Sequence, residues 1–73
     1  MNYINKIYIG RKGSYWENSI IKVISNMTNN AVMCKIILDK TFKKGEETIF
    51  YKSSIKERFI ELKNTELIEY LYD

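Results

Sequence analysis

Seventy-three residues with no histidine, no proline and a single cysteine exclude most of the chemistry open to a small domain. Acid–base work near neutral pH recruits histidine, structural zinc needs clusters of Cys or His, and one thiol cannot close an internal disulfide. A net charge of +3, with 45% apolar and 29% charged residues, describes one folded domain over 1–73 with no metal or cofactor set.

Residues Tyr3 to Ile9 are rich in β-branched and aromatic side chains, stop at Gly10, and predict a first strand. Gly10 to Ser14 is a turn with two glycines. Ser19 to Ser25 is a second strand whose unbroken apolar character implies burial on both faces or a bend over a small barrel. Asn26 to Asn30 connects it to a third strand, Ala31 to Leu38, in which the period of two places Val32, Cys34, Ile36 and Leu38 on one face. Lys35 falls on the other face with Ala31, Met33 and Ile37.

Asp39 to Gly45 reads as a basic hairpin loop. Glu46 to Lys52 is a fourth strand, with Ile49 and Tyr51 on one face and Thr48 and Phe50 on the other. Ser54-Ile55-Lys56-Glu57 fits the Ser-x-x-Glu capping box that starts a helical turn. Phe59, Ile60 and Leu62 then dock on the sheet from a helix or from a short fifth strand; the segment is too short for periodicity to separate the two. Asn64 or Thr65 caps a last helical segment, about 64–72, with an apolar stripe of Leu67, Ile68 and Leu71.

The fold expectation is therefore mainly β with short C-terminal helical segments (α+β). A small antiparallel barrel of four or five strands covers about residues 3–62. Ile7, Ile21, Val23, Val32, Cys34, Ile36, Ile49 and Phe59 are its expected core. Cys34, between Val32 and Ile36 on one face, reads as a small buried hydrophobe with no chemistry.

Charge is uneven along the chain. Residues 1–44 hold eight basic and two acidic residues, net +6, while residues 45–73 hold four basic and seven acidic, net −3. Such asymmetry either steers a charged partner or offsets itself once the chain folds. Arg11 and Lys12 stand beside Tyr15 and Trp16, which mixes positive charge with stacking surface. Trp16 serves either that surface or the cover of the core. Lys40, Lys43 and Lys44 form a second basic cluster at the hairpin, suited to phosphates or to a solvated, edge-protecting loop. Glu46 and Glu47 are adjacent on a strand, point to opposite faces and cannot act together on one substrate.

The run Lys12-Gly13-Ser14-Tyr15, followed by the Ile-Ile-Lys-Val-Ile strand, the Val-Met-Cys-Lys strand and a loop, resembles small SH3-like barrel families over roughly residues 8–62. Where such barrels have known roles, they bind peptides, RNA or protein surfaces through exposed aromatics and loops. Charge, aromatic area and turn geometry together make Arg11, Lys12, Tyr15, Trp16, Lys40, Lys43 and Lys44 the expected partner-binding surface. Twelve Ile, ten Lys and seven Asn, all with AT-rich codons, point to a low-GC bacterium or its mobile elements.

Small size and composition are similar to phage counter-defence proteins of the anti-CRISPR type. The expected function is thus a non-enzymatic accessory that binds and inhibits a host protein or a protein–nucleic acid complex. Net basicity speaks against simple DNA mimicry. Alternatives are a small nucleic-acid-binding module with direct nucleic-acid contact, or an oligomeric sponge for a signalling nucleotide. A lone thiol, no signal-peptide pattern after Met1 and no apolar run near the roughly 18 residues of a membrane span make the expected location cytoplasmic, without membrane contact. The oligomeric state is left open.

Overall fold

Alternating and continuous apolar runs over the first fifty residues form four strands, and the chain then turns once through a helix into a fifth. The structure, a computed structural model, describes residues 3–63. Its elements are β1 (Ile7–Gly10), β2 (Ile20–Asn26), β3 (Ala31–Leu38), β4 (Glu47–Tyr51), α1 (Lys52–Arg58) and β5 (Phe59–Leu62). The strands form one antiparallel sheet in the order β4-β3-β2-β1-β5. Four strands meander and the fifth returns to the far side of the first. The fold is mainly β with one short helix among the described residues, and the segment expected to be helical over 64–72 lies outside them.

Two bulges curl the sheet. Ile37 is the extra residue between the pairs Ile20↔Leu38 and Ile21↔Ile36, and Ile24 is the extra residue between Val23↔Cys34 and Ser25↔Met33. Each bends and twists its strand more tightly. The curl brings Phe50 of β4 edge-on to Phe59 of β5, with ring centroids 5.7 Å apart, so side chains of the two edge strands touch inside the curl while the strands themselves do not pair. α1 bridges them and contributes Ile55 to the core.

The main core lies inside this curl and contains Tyr3, Tyr8, Ile21, Val23, Val32, Cys34, Ile36, Phe50, Ile55 and Phe59. Ile9, Ile20 and Leu62 form a second cluster with Ile7 and Ile37. β2 is therefore apolar on both faces because both are used. Removing a side chain such as Ile36, buried to 1% exposure, costs about 2–5 kcal/mol in cores of this kind.

The sequence expectations need five corrections. The first strand starts at Ile7; residues 3–6 form a turn in which Asn5 takes φ 66° and its N–H donates to the Val23 carbonyl (2.8 Å). Ile49 is 53% exposed, because the pairs Val32↔Phe50 and Cys34↔Thr48 turn Phe50 inward instead. Ile7 is half-buried and packs with the second cluster. Leu38 leaves the face of Val32, Cys34 and Ile36 because the bulge at Ile37 breaks the period of two. No capping box forms: α1 begins at Lys52, with Tyr51 as a cap that makes no side-chain bond. The Lys52 N–H is satisfied by the Asn30 carbonyl at 2.8 Å, so the strand ladder does the work of a cap. Phe59–Leu62 is a strand, which settles the alternative left open by periodicity.

Candidate functional site

The β1–β2 loop (11–19) and the β3–β4 loop (39–46) lie at the same end of the sheet, because Ile20 at the start of β2 pairs with Leu38 at the end of β3. The first loop folds back over Gly10. The Gly10 N–H donates to the Ser19 carbonyl (2.9 Å), the Asn18 N–H donates to the Gly10 carbonyl (3.3 Å), and Gly10 bridges Glu17. Inside the loop, the Gly13 N–H donates to a Glu17 carboxylate oxygen (2.6 Å), and the Ser14 hydroxyl donates to the Arg11 carbonyl (2.7 Å). Gly13 takes φ +88°, a conformation that favours glycine.

This fold-back lays Trp16 across the end of the core. Its ring stacks on Phe42 (5.8 Å, 20°) and meets Phe50 edge-on (5.0 Å) and Phe59 at 6.1 Å. Trp16 is half-buried and packs against the main core, which is the covering role. Tyr15 meets Trp16 edge-on at 5.1 Å and is 79% exposed. The pair therefore divides the work: one ring anchors and the other faces solvent.

Asp39 ties the two loops together. Its carboxylate accepts the N–H groups of Thr41 (2.8 Å) and Phe42 (2.9 Å) and the hydroxyl of buried Ser19. Burial opposes the charge, but the Ser19 hydroxyl and the backbone N–H groups of Phe42, Thr41 and Lys40 outweigh it and hold the carboxyl below its ordinary value. Between the loops lie two adjoining hollows of about 200 and 210 Å³ that share Glu17, Ser19, Asp39 and Lys40. Asn18 and Leu38 close one; Tyr15 and Thr41 close the other.

The structure thus brings both expected basic clusters to one end of the molecule. Arg11, Lys12, Lys40, Lys43 and Lys44 are all exposed there. Sequence reasoning missed three contributors. Glu17 and Asp39 give the cleft two carboxylates. Arg58, exposed at the end of α1, joins this end because its carbonyl accepts the Arg11 N–H at 2.7 Å. The pairing of β1 with β5 is the signal that would have found it.

Acidic residues from the back half do not gather on a separate face among the described residues. Glu47 pairs across the strand with Lys35, Glu61 lies 3.6 Å from Lys6, and Glu46 accepts the Lys43 N–H at 3.2 Å. Asp39 and Glu17 are occupied by loop donors. Among the described residues no group of three or more Cys, Asp or Glu side chains is placed to hold a metal ion, and no helix is long and apolar enough to cross a membrane. Comparison with protein-family models, curated proteins and solved structures finds no match to this chain.

Proposed function

We propose that this protein is a non-enzymatic binding module that engages a host protein or a protein–nucleic acid complex through the loop end of the sheet. The observation that carries this reading is Tyr15: a ring 79% exposed, braced edge-on by Trp16 and set over a cleft that also presents Lys40. A rigid aromatic with cations around it is the kind of anchor that carries most of an interface's energy. Arg11, Lys12, Lys43 and Lys44 are exposed on the two loops at the same end of the sheet. The carboxylates of Glu17 and Asp39 in the same cleft favour a protein surface of both signs over a bare phosphate backbone. The curled five-stranded sheet fits the resemblance to SH3-like barrels. The further reading of the protein as a phage or mobile-element inhibitor of the anti-CRISPR type rests on size and composition.

A direct nucleic-acid contact is the second reading, favoured by exposed Arg11, Lys12, Lys40 and Arg58 at the end of the sheet that carries the exposed Tyr15 ring. Affinity capture from a bacterial lysate, followed by titration of the captured partner, tests the first. Tyr15→Ala should weaken binding by about 2 kcal/mol, roughly 30-fold in Kd. Joint reversal of Lys40, Lys43 and Lys44 to Glu should weaken it further, and reversal of Glu46, Glu47 and Glu61 to Lys should matter less. Binding that survives the first two changes and fails with the third refutes the site. A gel shift with single-stranded and duplex DNA at two salt concentrations isolates the nucleic-acid reading, since phosphate contacts weaken steeply with salt.

A further inference from the structure

Among the described residues β4 pairs on one side only, with β3, and its other edge is open. The register states which backbone groups that edge presents. Lys52 N–H donates to the Asn30 carbonyl and Ile36 N–H donates to the Glu46 carbonyl (both 2.8 Å), which makes Ala31↔Tyr51 a pair without mutual hydrogen bonds. Alternation along an antiparallel ladder then directs the N–H and C=O groups of Thr48 and Phe50 toward β3. Those of Glu47, Ile49 and Tyr51 point away from it. The side chains of Ile49 and Tyr51 are 53% and 66% exposed, so the open edge is also apolar on its outer face. It lacks the proline, bulge or inward charge with which edges are normally protected.

We propose that a second copy of this chain pairs with β4, antiparallel, about a two-fold axis through Ile49. In that register Ile49 faces Ile49 of the other copy and Glu47 faces Tyr51, so all three outward residues of each chain exchange both backbone hydrogen bonds. A shift of two residues in one direction sets Tyr51 against Gly45, whose N–H already serves the Ile36 carbonyl (2.7 Å), and loses part of the ladder. The same centre sets each Glu47 against a Tyr51 and keeps the two Glu47 residues apart, so no like charges meet along the paired edge. A closed two-fold contact of this kind uses one patch twice. It also supplies a staple that a 73-residue chain with neither an internal disulfide nor a metal set otherwise lacks.

The full chain, followed by sedimentation and light scattering from about 1 µM to 1 mM, should pass from monomer to dimer without larger species; these concentrations bracket a small, weak interface. Hydrogen exchange should show the amides of Glu47, Ile49 and Tyr51 gaining protection as concentration rises, while those of Thr48 and Phe50 stay protected throughout. I49K and I49E, each checked for folding by circular dichroism, should each weaken the dimer by about tenfold or more, because like charges then meet at the axis. Mixed in equal amounts they should re-form a one-to-one pair. Ile60→Lys on β5 should leave the dimer intact. A chain that stays monomeric to the highest concentration, oligomers that grow beyond two by pairing β4 with β5, or an I49K/I49E mixture that does not recombine would overturn the proposal.

Discussion

Gly10 is the residue on which the loop end of the molecule depends. A Cβ built there would lie 1.6 Å from the Trp16 carbonyl oxygen and 2.2 Å from its carbon, both backbone atoms that no side-chain rotation can move. Its φ is not in the left-handed region, so the requirement is space alone. With alanine in its place, the loop must lift off β1, and Trp16 must leave the rings of Phe42, Phe50 and Phe59. Gly10→Ala should therefore cost about 3 kcal/mol or more, at the upper end of overpacking changes. Trp16 is the single tryptophan, so its emission should shift red as the urea midpoint falls. A variant with unchanged midpoint and emission would show that the loop has another way over the strand. Tyr15 would lose its brace in the same variant, and a stability change and a binding change would then share one cause.

At the scale of elements, the two loops are held by acceptors, and Asp39 is the chief one. Asp39→Ala leaves the Thr41 and Phe42 N–H groups and the buried Ser19 hydroxyl without their acceptor, which should cost about 1–2 kcal/mol. The carboxyl is held below its ordinary 3.8, so its contribution is present above that pH and is lost as pH falls below it. Urea midpoints of wild type and Asp39→Ala should accordingly converge in acid; midpoints that fall in parallel would remove the role. Elements were legible in unequal measure. β3 shows its true ends because turn-forming residues flank it on both sides, while β1 and β2 run one residue past their expected ends, through Gly10 and Asn26. The inward face of β4 was not legible, since Ile49/Tyr51 and Thr48/Phe50 are both plausible linings until the register with β3 selects one. A bulge leaves no mark in an apolar run such as Ile36-Ile37-Leu38, so Leu38 was misplaced. The basic and aromatic clusters could be read one at a time, but their union at one end follows from strand order. The acceptor roles of Glu17 and Asp39 are short-range loop geometry that no periodicity encodes.

For the whole molecule, stability and pH are linked through one core. Burial pushes the Cys34 thiol from 9.0 up to about 12. Burial, then the charge of Glu61 and the neighbouring Tyr3 and Cys34, pushes the Tyr8 phenol from 10.0 up to about 12. Both groups are neutral when protonated, and the folded chain holds those protons more tightly than the unfolded one. Their contribution is therefore complete below pH 9 and is lost as pH rises toward 12. Ionising Cys34 in place costs on the order of 4 kcal/mol, while a core of this size rarely supplies more than about 3–5 kcal/mol in all. Ionising Cys34 therefore opposes folding. Circular dichroism and Trp16 emission should report the same cooperative alkaline transition, beginning above pH 9, because Cys34 and Trp16 pack on one cluster. Below that pH a thiol reagent should label Cys34 only as fast as the chain opens. Cys34→Ala, less stable at pH 7 through lost volume, should lose less stability than wild type between pH 9 and 11. If its urea midpoint falls as steeply as that of wild type over this range, the alkaline transition belongs to Tyr8 or to another group, and Cys34 has no part in it.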